Sequence, residues 1–548
     1  MAGLAAVFGS GAMTNSIEEI ERADCIFVIG SNTSVAHPLV ATRIYRAKAR
    51  GAKIIIADPR KIPLVLISDL HLRHRLGTDV ALINGLIHII LKKGWQDQVF
   101  IDERTENFEE LKKGIENYPP QRVSEITGVS ISDLERAAEY YAKAERASIL
   151  YTMGITQHTT GVDNVKSLAN LAMVTGNLGK ESTGINPLRG QNNVQGACDM
   201  GGLPNVFTGY QPVTDPSSRK KFEEAWGCKL PEKVGFTATE MFPAILEGKI
   251  KGMIILGENP IVSDADSHHV EKALKALDFL VVIDIFPTPT TDLSHVTLPG
   301  ASFAEKEGTY TNTERRVQRV RKAVEPPGEA KEDWRIIQEL SNRFGYTMDY
   351  ESPQQIMREI AQLTPSYGGI TYERVEGEGL QWPCPSLEHP GTKFLHQGRF
   401  TRGKGLFTPI EFKPPAEVVD EQFPFWLTTG RIHVHYHTRT MTGNSPSLNQ
   451  EIQECFLELN PLDAKELEIK EDEIVKVESR RGSILTKVKI TERVSKNVVF
   501  IPFHFLESRA NILTNPVLDP IAKIPEFKVC AVRIEKVIPK TESRPPAN

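Results

Sequence analysis

The sequence of 548 residues is short of cysteine, and the cysteines it has are not arranged as ligands or cross-links. The six lie at positions 25, 198, 228, 384, 455 and 530, and no two of them form a C-x-x-C pair. Local spacing therefore supplies neither a disulfide framework nor a four-cysteine zinc or iron–sulfur site. This usage predicts a protein of a reducing compartment, the cytoplasm.

Long apolar runs and an excess of one charge are also missing. The longest apolar run, near residues 82–91, is far shorter than the ~20 residues that cross a bilayer, so direct membrane insertion is not expected. The 65 basic and 70 acidic residues give a net charge of −5, which argues against nucleic-acid binding. The length and the balanced composition predict a globular protein of several domains.

The first two thirds of the chain alternate β-branched runs with amphipathic helices. CIFVIG at 25–30, AKIIIADPR at 52–60 and GMIILGENP at 252–260 are typical of buried strands. This alternation predicts α/β architecture with two successive doubly wound parallel sheets. After the proline-rich stretches near 383–390 and 414–415, short alternating strands predict a separate, mostly β domain with a hairpin turn at Arg481-Gly482. The polar tail 539–548 is predicted to be disordered.

Polar residues and glycines follow these strands directly. In a doubly wound sheet they lie together at the carboxyl edge, where ligands bind. Glycine lets backbone amides approach a phosphate, whereas Asp, Asn and Gln bind ribose hydroxyls or base edges. No G-x-G-x-x-G follows the first strand, which disfavours ordinary NAD binding. Each loop taken singly also fits plain turn chemistry. The loops contain Asn32, Asp58, Arg60, Gly77, Asp79, Met153, Gln157, Gly257, Asn259 and Asp284.

The stretch GINPLRGQNNVQGACDMGG at 184–202 has no helical or strand period and places one arginine among several side-chain amides. Such groups are costly to bury unless a polar ligand satisfies them. Arg189 is a candidate for binding a small carboxylate through two parallel hydrogen bonds. The alternatives are an irregular surface loop and an ordinary ion pair. Cys198 in the same run has no neighbouring histidine and is expected to be a small buried residue rather than a nucleophile.

Three histidines in RIHVHYH alternate along the chain at 433, 435 and 437. On a strand they would share one face, as metal ligands do. They would equally serve hydrogen bonding to a polar ligand. Zinc is the less favoured alternative, because no carboxylate or thiolate accompanies them.

Several motifs together resemble the large catalytic subunit of molybdenum- or tungsten-dependent formate dehydrogenases. In chain order they are GSNTSVAHP, ADPRK, MVTGNLGK, NPLRGQNNVQGACDMG and PEFKVCAV, and the likeness runs from Met1 to about Val537. The resemblance implies a bis(molybdopterin guanine dinucleotide) cofactor with Mo or W and formate or carbon dioxide as substrate. It also implies iron–sulfur or other electron-transfer subunits as partners, and a C-terminal β-barrel that caps the cofactor.

The same resemblance implies residue roles and domain limits. Arg189 would orient formate, and Gln191 would touch the pterin. One dinucleotide would be held by Asn32, Asp58, Arg60, Gly77, Asp79, Met153 and Gln157, the other by Gly257, Asn259 and Asp284, with Arg431, His435, Asn511 and Lys528 closing over them from the barrel. The implied division is a doubly wound domain at 1–191, a second at 192–303, strands of an iron–sulfur domain at 304–332, a return segment at 333–415 and the barrel at 416–548.

The family pattern also places an iron–sulfur domain and a metal-ligating selenocysteine or cysteine, followed by histidine, before a V-A-G-L run that Met1-Ala2-Gly3-Leu4 matches. The metal ligand is therefore expected just upstream of Met1, either because a selenocysteine codon was taken as a stop or because the enzyme is split. On this expectation the chain alone is inactive. The alternative function is a scaffold subunit without the metal. Residues 1–17 are predicted to form a glycine-rich loop leading into a helix, with Gly9 and Gly11 allowing the backbone close to the cofactor.

Overall fold

The first sheet of the computed structural model, which describes residues 1–537, consists of five parallel strands. The central strand, Cys25–Ile29, pairs with a strand at each edge and is buried along its whole length because both of its faces are packed. The order across the sheet is Leu70–Leu72, Lys53–Ala57, Cys25–Ile29, Ala147–Tyr151 and Gly184–Pro187. The disorder predicted for 539–548 lies outside the described residues.

Helices cover both faces of this sheet, as the period-2 alternation along the central strand requires. Phe27 and Ile29 pack into one apolar cluster, whereas Ile26 and Val28 pack into another on the opposite face. Pro38–Ala49 buries Val40, Ile44 and Ala47 in the second cluster. The first cluster is built largely from Asp79–Lys93, Gln98–Arg104, Phe108–Ile115, Pro120–Thr127, Ile131–Ala142 and Gly161–Val174.

The opening segment is a helix, so its prediction as a loop is wrong. Ala2–Phe8 is helical and buries Leu4, Val7 and Phe8 against the first sheet's core. Gly9 ends the helix in the left-handed conformation, with φ of 81°, as a C-terminal glycine commonly does. A Cβ on Gly9 would lie 2.6 Å from the backbone nitrogen of Arg402, and one on Gly11 would lie 2.8 Å from the carbonyl of Met1. Both glycines therefore allow close approach to the chain itself.

A second, smaller parallel sheet lies at 252–299. Its order is Val296–Pro299, Phe279–Asp284 and Gly252–Leu256. One face packs on helices through Ile255, Leu280 and Val282. The helices before and around it are Val194–Asp199, Pro216–Trp226, Ala238–Leu246, Pro260–Ser263 and Ser267–Lys275.

The segment between the second sheet and the barrel includes two helices and a three-stranded sheet, whose third strand, Leu380–Gln381, pairs with Arg316–Val320. Gly308–Thr311 pairs antiparallel with Arg316–Val320, and the helices span Asp333–Arg343 and Pro353–Leu363. Further along, Phe400 and Phe407 insert into the core of the first sheet. This segment therefore returns to the part of the molecule where the chain begins.

A closed barrel of six strands completes the fold. Glu478 pairs with Ser483 across the hairpin, which confirms the predicted turn at Arg481-Gly482. The order around the barrel is Phe425–Gly430, Val498–Pro502, Phe456–Leu459, Ser483–Ile490, Ile474–Glu478 and Cys530–Lys536. Two parallel sheets and a C-terminal barrel confirm the predicted fold class, while the domain limits remain a prediction. Within residues 1–537, no helix is both long and apolar enough to span a membrane.

Candidate functional site

A cavity opens where the carboxyl edge of the first sheet meets the barrel, with about 1310 Å³ of empty space when the solvent at its open mouth is included. Its walls also include Ser263 beside the second sheet and the loop residues Gly190 and Gln191. Most of the predicted cofactor-binding residues line it, namely Asn32, Asp58, Arg60, Gly77, Asp79, Met153, Gln157, Gln191, Arg431, Asn511 and Lys528. The structure thus brings together residues that are almost 500 positions apart in the chain.

Two glycines shape the floor of this cavity at the point where the sheet order reverses. Gly30 ends the central strand with φ of 55°, and its carbonyl accepts a hydrogen bond of 3.1 Å from the backbone nitrogen of Gly154. A Cβ on Gly154 would lie 2.5 Å from that carbonyl oxygen, and one on Gly30 would lie 2.8 Å from the Gly154 carbonyl carbon. Glycine at both positions keeps the two strand ends in contact and the cavity open.

The sheet side of the cavity carries buried carboxylates. His74 Nε2 lies 3.1 Å from Asp79 Oδ1, and both side chains are buried. Burial alone would lower the pKa of His74, but the Asp79 carboxylate more than offsets this and raises that pKa. Burial raises the pKa of Asp58, although the backbone nitrogen of Arg60 donates to its Oδ1 at 2.9 Å. These oxygens can accept hydrogen bonds from a base edge or a ribose.

The barrel side carries cations. Burial, with the nearby Arg431 charge, lowers the pKa of Lys528 to about 7, while its Nζ donates to the carbonyl of Thr429 at 2.7 Å. Arg60 donates through Nη2 to Glu458 Oε2 at 2.7 Å and lies over the Phe500 ring, with Cζ 3.4 Å from the centroid. Arg431 Nη1 donates to the carbonyl of Gly190 at 3.1 Å. Cations close to one another in a half-enclosed cavity favour an anionic ligand.

Arg189 does not line the cavity itself, although Leu188 and Gly190 on either side of it do. Its Nε donates to Gln195 Oε1 at 3.2 Å, and its backbone nitrogen donates to Thr313 Oγ1 at 3.0 Å. The Nη2 atom is buried and has no hydrogen-bond partner among the described residues. Arg189 therefore has donor capacity free for a further acceptor, as a carboxylate-binding arginine requires.

Other buried polar atoms near this cavity also lack partners within the described chain. One is Oδ1 of Asn32, and another is Nδ1 of His37, whose Nε2 donates to the carbonyl of Arg189 at 2.6 Å. Burial lowers the pKa of His37, so the neutral ring presents Nδ1 as an acceptor. Buried polar atoms in folded proteins are nearly always hydrogen-bonded. Orphaned acceptors on one wall and cations on another fit a ligand with N–H or O–H donors and phosphates.

Three predicted residues lie apart, at the carboxyl edge of the second sheet. Gly257 has φ of 62° and open space where its Cβ would be. Asn259 Oδ1 accepts from Thr290 Oγ1 at 2.8 Å, and Asp284 Oδ1 accepts from the backbone nitrogen of Ile285 at 2.7 Å. The structure groups Gly257, Asn259 and Asp284 with each other but not with the cavity, so their binding role stays a prediction.

The three alternating histidines do not lie on a strand, so that prediction is wrong. The barrel strand ends at Gly430, where a Cβ would lie 2.7 Å from Phe500, and His437 has φ of 44° in a turn. Exposed His433 and buried His435 are thereby separated, and only His437 of the three lines the cavity. Among the described residues, no group of three potential ligands could hold a metal ion.

His435 does not line the cavity, so its role in closing over a cofactor stays a prediction. Its Nε2 bonds the carbonyl of Ile452 at 2.8 Å, and its Nδ1 bonds Thr442 Oγ1 at 3.1 Å. Both ring nitrogens are therefore occupied. In this conformation His435 stabilises the turn.

Sequence reasoning missed several cavity residues. His37, His74 and His158 lie in short connections outside the helices and strands, where nothing in the local pattern sets them apart. Phe500 comes from a barrel strand that is apolar throughout, and its neighbours Val499 and Ile501 belong to the barrel core, so the sequence does not distinguish it from a core residue. Only Gly154 had a local signal, because it follows a buried strand as Gly30 does.

Comparison with known proteins agrees with the site. Residues 4–343 match the molybdopterin oxidoreductase family, and residues 425–531 match the molydopterin dinucleotide binding domain. The chain is 56% identical over 540 residues to the F420-dependent formate dehydrogenase subunit alpha of Methanocaldococcus jannaschii, covering 98% of this chain and 80% of that protein. It is 42% identical over 544 residues to formate dehydrogenase H of Escherichia coli, covering 98% and 76%.

Structural comparison gives the same fold. Acetylene hydratase from Pelobacter acetylenicus superposes with a TM-score of 0.75 at 20% identity, covering 98% of this chain and 80% of that one. At this identity the likeness concerns the fold alone. The family matches, the high identities and the cavity lead to one conclusion: the chain belongs to the molybdopterin oxidoreductase family.

Proposed function

We propose that this chain is the catalytic subunit of a formate dehydrogenase, which oxidises formate to carbon dioxide or runs the reverse reaction at a bis(molybdopterin guanine dinucleotide) centre. The observation that carries the proposal is the buried Nη2 of Arg189, which has no hydrogen-bond partner within residues 1–537 and lies beside this cavity. A second support is the 56% and 42% identity to formate dehydrogenase subunits over almost the whole chain.

The cavity residues fit a dinucleotide of this kind. Arg60, Arg431 and Lys528 supply positive charge for its phosphates, while the free oxygen of Asn32 accepts from a base or ribose. Asp79 keeps one carboxylate oxygen beyond the one that bonds His74. The bound cofactor, with Mo or W, supplies the redox centre that takes up the electron pair of formate, which no side chain can do.

Arg189 has the complementary task of holding the substrate. A guanidinium with a free Nη2 can bind the formate carboxylate and offset its charge, which fixes the direction of the C–H bond. The backbone bonds of Arg189 to His37 and Thr313 hold the loop that carries it. Formate oxidation releases one proton and two electrons per carbon dioxide formed.

Electrons leave through another subunit, and we propose F420 as the acceptor. The protein from Methanocaldococcus jannaschii is named for dependence on F420 and as a subunit alpha. Iron–sulfur or other electron-transfer subunits would connect the two sites. A purified complex should bleach oxidised F420 when formate is added, and a complex that reduces only other dyes would overturn this acceptor.

The metal's protein ligand is proposed to precede Met1 in the intact enzyme. The basis of this proposal is the family resemblance, in which Met1-Ala2-Gly3-Leu4 matches a V-A-G-L run. The nucleotide sequence upstream of Met1 tests this, since a selenocysteine or cysteine codon followed by a histidine codon is expected there. A scaffold role is the less favoured function, because a scaffold has no use for an arginine with a free donor.

The activity itself is tested with the holoenzyme and Arg189→Lys. A lysine cannot form two parallel bonds to a carboxylate, so kcat/KM for formate should fall about 100-fold or more. Arg146→Lys is the matched control, because Arg146 pairs with Asp24 at the opposite edge of the first sheet. Unchanged kcat/KM in Arg189→Lys would contradict the proposal.

A further inference from the structure

Asp199 ends a buried hydrogen-bond network that reaches Arg189 through a single amide. The carboxylate is fully buried, and its two oxygens accept four hydrogen bonds from side chains. Oδ1 accepts from Gln195 Nε2 at 2.8 Å and Tyr210 OH at 2.6 Å, while Oδ2 accepts from Tyr367 OH at 2.6 Å and Trp382 Nε1 at 2.7 Å. These four donors hold the carboxylate in one position.

The carboxylate also decides which way the Gln195 amide faces. Burial raises the pKa of Asp199, but the Tyr210 and Tyr367 hydroxyls and Trp382 Nε1 all donate to its oxygens and favour the carboxylate. A carboxylate only accepts hydrogen bonds, so the amide of Gln195 turns its NH₂ group toward it. The tyrosine hydroxyl of Tyr210 accepts from the same NH₂ group at 2.9 Å. The Oε1 atom is then left facing the other way, where Arg189 Nε donates to it at 3.2 Å. The buried Asp199 thereby presents a fixed acceptor to the guanidinium.

The intervening amide has a further consequence for charge. If Asp199 paired with Arg189 directly, its carboxylate would compete with any bound carboxylate for the same N–H groups. Gln195 is uncharged, so it fixes the orientation of the Arg189 guanidinium through Nε without placing a carboxylate beside it. The Nη2 atom has no partner among the described residues. This arrangement suits an arginine that must hold a small anion in a set direction.

We infer that Asp199 is a positioning residue for Arg189 and that it acts through Gln195 to fix the guanidinium for formate. The inference rests on the proposed function, since it assigns formate as the anion. In Asp199→Asn the amide of Gln195 is free to flip and turn its NH₂ group against the arginine.

The test uses the holoenzyme, reduced beforehand so that no turnover occurs, and measures formate binding from the line width of [13C]formate. Asp199→Asn should raise the formate dissociation constant roughly tenfold, the size expected for losing one hydrogen bond to a charged group. Gln195→Glu should have a similar effect, because it places a competing carboxylate on Nε. In turnover assays both variants should raise KM more than they lower kcat.

A double-mutant cycle separates positioning from a structural role. In an Arg189→Gln background, Asp199→Asn should weaken formate binding no further, because the residue through which it acts is gone. Asp463→Asn is the control, since Asp463 is equally buried but lies in the barrel, where its Oδ2 accepts from the Asn497 backbone. Metal content and thermal unfolding identify any variant that misfolds. If Asp199→Asn misfolds, Gln195→Glu still tests the positioning role.

The outcomes are distinguishable. If Arg189→Gln leaves formate binding unchanged, the proposed function fails and this inference fails with it. If Arg189→Gln weakens binding but Asp199→Asn and Gln195→Glu do not, only the positioning role is overturned. The same holds if Asp199→Asn weakens binding equally in both backgrounds.

Discussion

The carboxyl edges of the two parallel sheets carry similar residues but differ in what those residues do. At the first edge, Gly30 contacts Gly154, and Asn32 Oδ1 is buried beside the large cavity without a partner in the described part of the chain. At the second edge, a Cβ on Gly257 would have no described atom within 4 Å, and Asn259 Oδ1 accepts a hydrogen bond from Thr290. The two edges therefore look alike in sequence and unlike in structure.

This difference shows which features turn the end of a strand into a ligand-binding site. Polar residues after strands are common because turns favour them. A ligand site additionally needs polar atoms that the chain leaves unsatisfied and space in front of them. The first edge meets both conditions within the described residues, and mutations at matched positions of the two edges can test whether this difference is real.

The largest contrast is expected at the glycines that follow the first strand of each sheet. Gly30 has φ of 55°, and a Cβ in Gly30→Ala would lie 2.8 Å from the Gly154 backbone. The substitution should therefore lower the free energy of unfolding by about 3 kcal/mol, and the protein should lose most of its bound pterin. Gly257→Ala has similar strain but open space, and should cost only about 1 kcal/mol. Urea unfolding measures both, and equal losses would contradict the contrast.

An intermediate contrast is expected in the pH dependence of unfolding for the cofactor-free chain. Burial is the main cause that lowers the pKa of Lys528 to about 7 in the folded chain. Between pH 7 and about 10.5 the unfolded chain therefore binds more protons than the folded chain, so the free energy of unfolding rises with pH in this range. Asp264 beside the second sheet has its pKa raised to about 7 by burial and Glu258, so stability falls as pH rises from about 4 to 7.

Neutral substitutions should remove these opposite slopes. Lys528→Met should flatten the alkaline limb and stabilise the cofactor-free chain by roughly 2 kcal/mol at pH 7, while weakening cofactor retention. Asp264→Asn should flatten the acid limb and raise stability at pH 8 by a similar amount, with cofactor content unchanged. Chemical unfolding across pH decides this, and slopes that persist in either variant would show that another group is responsible.

The smallest contrast concerns two asparagines at matched positions. Asn259→Ala leaves the buried Thr290 hydroxyl without its acceptor and should lower the free energy of unfolding by about 1 kcal/mol. Asn32→Ala removes an acceptor that the chain does not use, so the cofactor-free chain should change by less than about 0.5 kcal/mol while cofactor retention falls. A stability loss in Asn32→Ala matching that of Asn259→Ala would mean that Asn32 has a structural role.

How much the sequence could predict follows from the range of the interactions involved. The strand Cys25–Ile29 and its polar successors were predictable, because burial and turn chemistry are local. The helix Ala2–Phe8 was not, because Gly9 serves as a C-terminal cap only once Leu4 and Phe8 have a core to pack against. Local pattern cannot separate a loop glycine from a cap glycine.

The histidines and Arg189 show the limits within the site. The alternation at 433–437 is typical of a strand, but the strand ends at Gly430, which packs against Phe500 of the neighbouring barrel strand, a contact that no local pattern contains. The loop at 184–202 was singled out correctly as rich in hydrogen-bonding groups. That Asp199 and Gln195 serve Arg189 depends on Tyr367 and Trp382, which come from more than 160 residues away.

The most direct test of the account is the pterin, metal and guanine nucleotide content of the protein purified without oxygen from its native source. The account predicts bound molybdopterin guanine dinucleotide with molybdenum or tungsten in the wild-type enzyme and a marked loss of both in Gly30→Ala. A folded, native complex that contains neither pterin nor guanine nucleotide would contradict the claim that the cavity at the first sheet is a cofactor site.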